Sequence, residues 1–271
     1  FILRRDGSTK FGENNRIGYF PTASAAWVLS DEDFFNVPFI SFAKLRTSYG
    51  VSGNDKIGLF DYRGQLNGEG VYPFGDQLIT GVALGKFANP DLKWEQTKQF
   101  NIGLDVDLFK DAVTLSIDYF VKNTDDLLFT PDVTGLLGSY GAGSSAPTIN
   151  AGSIKNSGLE VMIGYEKSFD NGFKFTTNYN ITTLRNEVTS LPSGVDFFEF
   201  GAFSVGGGTA TRMQVGQPLG YFFGYQTNGV FQNDAEIAAA ATQLGAQPGG
   251  LRHVDVNGDG NSDFSGDTDK T

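Results

Sequence analysis

The sequence predicts an all-β protein, a part of a large antiparallel transmembrane β-barrel with long extracellular loops and one short helix. Three observations predict it. Apolar residues recur on every second position rather than with the 3.6-residue period of a helix. The clearest runs reach about nine residues or more, the ~9–11 that a tilted membrane-spanning strand needs and more than the ~5–6 of an ordinary sandwich strand. Short turns alternate with long polar stretches at 53–93, 124–153 and 185–216, as in outer-membrane barrels with tight periplasmic turns and long outer loops.

The elements follow in order. Weaker strand patterns cover Ile17 to Leu29 and Phe42 to Ser52. From Phe100 to Leu108, Phe100, Ile102, Leu104, Val106 and Leu108 alternate with Asn101, Gly103, Asp105 and Asp107. After a turn at Phe109–Ala112, Val113, Leu115, Ile117, Tyr119 and Val121 alternate with Thr114, Ser116, Asp118, Phe120 and Lys122, which reads as a hairpin. A second hairpin pairs Leu159, Val161, Ile163 and Tyr165 with Phe173, Phe175, Thr177, Tyr179 and Ile181. Between them, Asp170-Asn171-Gly172 supplies residues that accept positive φ. Another weak strand covers Gln217 to Gln226, and the segments 57–66 and 127–134 leave the strand count open. The helix is expected over Asp234 to Leu244, capped by Asn233 or Asp234 and ended by Gly245. Tyr19, Phe20, Trp27, Trp94, Tyr119 and Tyr165 fit an aromatic girdle, or the core of a sandwich.

Composition narrows the function classes. A net charge of −11 argues against a nucleic-acid partner, which needs clustered Lys and Arg. The absence of cysteine excludes a disulfide framework and Cys-ligated zinc. A single histidine, His253, leaves one candidate for a His-based triad and none for a His-cluster metal site. No run approaches the ~18 apolar residues of a spanning helix. Both ends, at Phe1 and Thr271, read as cuts in a longer chain.

Several motifs, in order along nearly the whole chain, resemble the SusC/RagA branch of TonB-dependent outer-membrane transporters of Bacteroidota. They are Gly18-Tyr19-Phe20-Pro21-Thr22-Ala23-Ser24-Ala25-Ala26-Trp27, Lys44-Leu45-Arg46-Thr47-Ser48-Tyr49-Gly50-Val51-Ser52-Gly53-Asn54, and Asn89-Pro90-Asp91-Leu92-Lys93-Trp94-Glu95-Gln96-Thr97. Asn156-Ser157-Gly158-Leu159-Glu160 and Asp255-Val256-Asn257-Gly258-Asp259-Gly260 continue the series. The resemblance implies a barrel of about 22 strands when complete, and it implies that residues 1–271 are a fragment of the barrel domain, about eight to ten strands, lacking the plug, the TonB box and the final strands. It also implies import of oligosaccharides or oligopeptides, without chemistry of its own. The partners it implies are a SusD-like surface lipoprotein, the TonB–ExbB–ExbD complex, and outer-membrane lipid with lipopolysaccharide.

One local motif suggests a metal. Asp255, Asn257, Asp259, Asn261 and Asp263 place oxygens at alternate positions with Gly260 sixth, like the front of a calcium loop. The twelfth position is Gly266 where a bidentate Glu is expected, so the alternatives are a Ca2+ site and an Asx-rich turn without metal. Asp105, Asp107, Asp118, Glu160 and Glu166 sit on polar strand faces, as lumen contacts or as wall residues paired with Lys and Arg. Phe120, on that face, stacks on a sugar or packs on a plug. His253 lacks the G-x-S-x-G context of a nucleophile, and Gly206-Gly207-Gly208 lacks a following P-loop Lys. Two other functions stand beside import: a calcium-binding surface adhesin or carbohydrate-binding β-domain, and a barrel scaffold in a larger surface or secretion complex.

Overall fold

The computed structural model describes residues 1–66, 68–131, 145–202, 209–262 and 268–270. The chain divides into two compact units, Phe1–Gly194 and Val195–Thr271.

The first unit is built on long strands: β1 (Ile2–Gly7), β2 (Ile17–Val28), β3 (Ile40–Asn54), a hairpin of β4 (Gly68–Phe74) and β5 (Gln77–Ala83), β6 (Glu95–Leu108), β7 (Val113–Asp125), the short β8 (Leu128–Phe129) and β9 (Ile149–Asn150), β10 (Ser153–Ser168) and β11 (Lys174–Ser190). Seven of them form one antiparallel sheet in the order β1-β2-β3-β6-β7-β10-β11. Within this sheet β3, β6, β7, β10 and β11 run 13 to 17 residues, longer than the periodic patterns alone suggest. Their polar ends extend into stretches that read as loop, because ladder hydrogen bonds hold a polar strand as well as an apolar one.

Register makes each face continuous. Trp27, Leu45, Leu104, Ile117, Val161 and Ile181 lie side by side across six strands. One residue away, Ala26, Arg46, Gly103, Asp118, Glu160 and Thr182 form the matching row of the other face. The apolar face stays bare: Ile102, Tyr119, Leu159, Ile163 and Ile181 are 40 to 49% exposed. A sheet in water would cover such a face with a second layer.

The two edges of the sheet differ in kind. At one end lie the connections 29–39, 109–112 and 169–173; at the other lie 8–16, 55–94 and 126–152. The turn at 109–112 is as tight as expected, with Phe109, Lys110 and Asp111 all at positive φ (54°, 58° and 67°). Ser41 Oγ donates to Asp111 Oδ1 at 2.5 Å and the Phe109 amide donates to Phe39 O at 2.8 Å, which hold this strained backbone in place. At 169–173, Gly172 alone takes positive φ, 84°, and Asn171 stays out of that region. Its side chain accepts from the Phe173 amide instead, at 3.0 Å, in a three-residue loop closed by the Phe169 amide on Phe173 O at 2.8 Å.

The long-loop end holds the core of this unit. Phe11, Phe20, Leu92 and Trp94 are buried together, with Val51, Ile57, Tyr62 and Leu128 against them. This corrects the girdle reading for Phe20 and Trp94. Bare glycines at Gly18 and Gly53 leave room for the Phe20 ring to fold inward, onto the Trp94 ring at 5.5 Å. Tyr119 lies at mid-strand beside Ile102 and Leu159, so it is a wall residue and not part of a girdle. Trp27 and Tyr19 keep exposed strand-end positions.

The second unit carries β12 (Phe197–Ala202), β13 (Thr209–Gln214), β14 (Tyr221–Tyr225), β15 (Thr227–Val230), α1 (Asp234–Ala239), β16 (Thr242–Gln243), β17 (Leu251–His253), β18 (Asn261–Ser262) and β19 (Thr268–Lys270). β12, β13, β14 and β19 make one sheet. Strand β14 begins at Tyr221 rather than Gln217 because Gly216 and Gly220 both adopt positive φ and turn the chain. Helix α1 starts as expected, with the Asn233 side chain accepting from the Glu236 amide at 3.0 Å. It stops at Ala239, short of Leu244. The Thr242 amide bonds Gly260 O at 2.8 Å, and Gln243 reaches Leu251 O and the His253 amide, so tertiary bonds outweigh the helix propensity of the alanines.

Candidate functional site

The polar face of the first unit is a built surface. Arg46 projects from β3 across the bare backbone of Gly103 on β6. It binds Asp105 through Nε at 2.7 Å and Nη2 at 2.8 Å, and Asp118 through Nη2 at 3.0 Å. Ser116 Oγ donates to Asp105 Oδ1 at 2.8 Å, and Lys44 Nζ stands 3.5 Å from the same carboxylate. A Cβ on Gly103 would collide with the Asp118 carboxylate and come within 2.9 Å of the guanidinium, so the network requires glycine there. One planar fork thus ties three adjacent strands.

Beside it, Asn101 donates to Ser48 Oγ at 3.0 Å and accepts from Gln99 Nε2 at 2.9 Å. Further along, Asn186 donates to Asn156 at 2.7 Å and Lys174 pairs with Glu166 at 2.6 Å. Small residues Ser24, Ala26, Ser48 and Gly103 leave a depression of about 350 Å³ in front of Arg46. The chemistry offered is a hydrated, charge-balanced lining of fixed donors and acceptors. Among the acidic residues read from sequence, Asp105, Asp118 and Glu166 are paired with Arg or Lys. Glu160 shares the Asp118 row, and the Asp107 carbonyl accepts from Ser41 Oγ at 3.2 Å. Phe120 lies against Gly158 of β10, where a Cβ would meet the ring at 2.8 Å. Sequence reading passed over Arg46 and Lys44. Their signal was two basic residues on the polar alternation of β3.

A wall apolar on one face, polar on the other and turned tightly at only one edge is the wall of a transmembrane barrel. The family model for the TonB dependent receptor-like β-barrel matches residues 3–270. The chain belongs to this family. It is 36% identical over 270 residues to TonB-dependent receptor P3 of Formosa agariphila, covering 96% of this chain and 26% of that protein. It is 34% identical over 237 residues to TonB-dependent receptor SusC of Bacteroides thetaiotaomicron, covering 83% and 23%. Among solved structures, the RagAB peptide importer in its "closed-closed" state superposes with a TM-score of 0.74 at 21% identity, covering 99% of this chain and 27% of that one. The RagAB peptide transporter superposes with a TM-score of 0.71 at 24% identity, covering 85% and 24%. The chain spans about a quarter of the length of these relatives. As a SusC/RagA-type receptor it lies in the outer membrane. Its apolar face meets lipid and the Arg46 face meets the lumen, with the tight turns on the periplasmic side and the long loops outside.

The receptor's second unit contains the acidic loop. Asp255 accepts from the Gly258 amide at 2.6 Å and the Gly260 amide at 2.9 Å. Asn257 Oδ1 accepts from the Asp259 amide at 2.9 Å, and Asp259 Oδ1 from the Asn261 amide at 2.8 Å. The side chains therefore form a ladder of Asx turns that pre-curls the loop, with Gly258 and Gly260 at φ 77° and 87°. Among the described residues, no group of three or more His, Cys, Asp or Glu side chains is gathered as a metal site. Asp263, the last expected ligand, lies outside the described residues, as do Gly206, Gly207 and Gly208. His253 stacks on Tyr225 with ring centroids 4.3 Å apart and planes 6° from parallel, and its relatives are receptors rather than enzymes.

Proposed function

We propose that the full-length protein imports oligosaccharides or oligopeptides across the outer membrane, together with a SusD-like surface lipoprotein and driven by TonB–ExbB–ExbD. Membership of the SusC/RagA-type receptors supports this reading. The single structural observation behind it is the two-faced wall, in which a six-strand apolar band backs onto a lining of fixed polar groups. That lining suits hydrated cargo, which exchanges water for side-chain hydrogen bonds at little net cost. Outer-membrane lipid and lipopolysaccharide then surround the apolar band. The test is deletion of the gene and growth on a panel of oligosaccharides and peptides, with affinity purification of the tagged receptor. Loss of growth on one class, and co-purification of a surface lipoprotein, are expected. Unchanged growth on every substrate and a receptor purifying alone would overturn the proposal.

The 255–263 loop is proposed as a Ca2+ site, supported by its ligand spacing and by the Asx turns that pre-curl residues 255–261. Calcium titration of the purified receptor should protect this loop from proteolysis, and Asp259→Ala should abolish the effect. Cleavage that calcium leaves unaltered would leave an Asx-rich turn.

A further inference from the structure

The outer rim of the first unit holds an ion pair that import itself does not call on. Lys86 Nζ lies 2.8 Å from Asp61 Oδ1, with the two side chains only 8% and 14% exposed. The other Asp61 oxygen accepts from Thr148 Oγ1 at 3.0 Å and from the Gly58 amide at 2.9 Å. Lys86 Nζ also reaches Thr148 Oγ1 at 3.4 Å. Three segments, far apart in sequence, therefore meet at one carboxylate. Burial alone raises the Asp61 carboxyl, but hydrogen bonds from Lys86, Thr148 and Gly58 outweigh it and hold the group below the ordinary range.

Backbone bonds repeat the same connection. The Gln65 amide donates to Lys86 O at 3.0 Å and the Gly85 amide to Gln65 O at 2.8 Å, closing the root of the β4–β5 hairpin. The Ser145 amide donates to Gly85 O at 2.8 Å, and Asn89 Nδ2 to Thr148 O at 2.9 Å. Asn150 Nδ2 binds the carbonyls of Lys93 and Asp126, each at 2.9 Å. Below them lies the Phe11–Phe20–Leu92–Trp94 core. Above them the hairpin stands out, with Tyr72, Phe74, Leu78 and Val82 65 to 74% exposed.

A buried pair tolerates no half-open state. Removing either charge strands the other in a low-dielectric site, so the contacts form together or not at all. We propose that Asp61, Lys86 and Thr148 are a latch that makes residues 55–66, 84–93 and 145–152 one outer block, opening and closing as a unit and fixing the hairpin arm at its root. The latch is independent of which cargo is carried, so its test does not depend on transport.

The experiment is hydrogen-exchange mass spectrometry on the full-length receptor in nanodiscs. In the wild type, the three segments should show protection within about threefold of one another, as one cooperative unit. Asp61→Asn and Lys86→Met should each raise exchange in all three segments, with β6 and β7 unchanged. The double variant should be no worse than the worse single one. An effect confined to the mutated segment, or additive single effects, would overturn the latch. Should either charge variant fail to assemble, two measurements still decide. Thr148→Val, which keeps the ion pair, should raise exchange in all three segments, and an effect confined to 145–152, or no effect, refutes the third leg. In the wild type itself, protections that differ more than about tenfold between segments refute the single block.

Discussion

Adjacent residues on β10 give the sharpest test of the wall. Val161 is the ninth of the 16 residues of this strand, at its centre, and aligns with Ile117 and Ile181 on the apolar face. Met162 aligns with Ser116 and Asn180 on the polar face and is 54% exposed there. At ~3.3 Å per residue and a tilt of roughly 40°, the eight residues before Val161 rise about 20 Å, which places it close to the middle of the apolar band once the strand's overhang is allowed for. Arg at the bilayer midplane costs about 2–4 kcal/mol on the lipid face. Val161→Arg should therefore lower the folded-to-unfolded ratio about thirty- to nine-hundred-fold, and Met162→Arg, facing water, by less than about threefold. Urea titration of the full-length receptor in bilayer vesicles measures both. Sequence hydrophobicity alone predicts similar, mild losses for the two, since both residues are apolar. Equal costs, or a larger cost for Met162→Arg, would mean that the faces are wrongly assigned and would return a soluble sandwich to consideration.

Three further outcomes follow from the same geometry. Gly103→Ala should cost about 1–3 kcal/mol, because the new methyl displaces Asp118 and the Arg46 fork; thermal unfolding in detergent checks it against Gly224→Ala, where nothing stands within 4 Å and the backbone is extended. Gly158→Ala should cost more than Gly103→Ala in the same measurement, because its Cβ meets the backbone carbonyl oxygen of Thr183 before it meets the Phe120 ring, and Phe120→Leu in the same background should recover little of the loss. For Asp61, whose carboxyl is held below its ordinary range, the latch contributes fully above that range and is lost as the pH falls through the lowered folded value. A spin label at Ser145→Cys should stay immobile from pH 8 down to about 5 and loosen below about 4. Asp61→Asn should be loose throughout, and mobility indifferent to both acid and the substitution would refute the contribution.

Much of the wall was legible from the chain. Period-two runs such as Phe100–Leu108 fix which residues share a face, because successive side chains on a strand must point to opposite sides. The short gap at Phe109–Ala112 and the turn residues Asp170-Asn171-Gly172 marked the tight edge. The acidic residues were placed on the polar face, but their partners were not. Asp105 and Asp118 meet Arg46 from a strand some 60 to 70 residues earlier, and only the pairing register brings the three together.

Local features are therefore written in the chain: strand, face, turn and the order of family motifs. Register, burial and the outer block were decided by tertiary structure. Phe20 and Trp94 carry the same aromatic signal as Trp27, yet they turn inward, since Gly18 and Gly53 open a space and the loops at 8–16 and 84–94 cover it. The alanines after Asp234 favour helix, yet the helix ends at Ala239 because Thr242 and Gln243 bond the loop and strand that follow. Lys86 and Asp61 look like solvated loop charges on paper. Their pairing depends on a third segment, around Thr148, that no local pattern connects to them. Periodicity reports the direction a side chain points, and only the closed set of long-range hydrogen bonds reports what it meets.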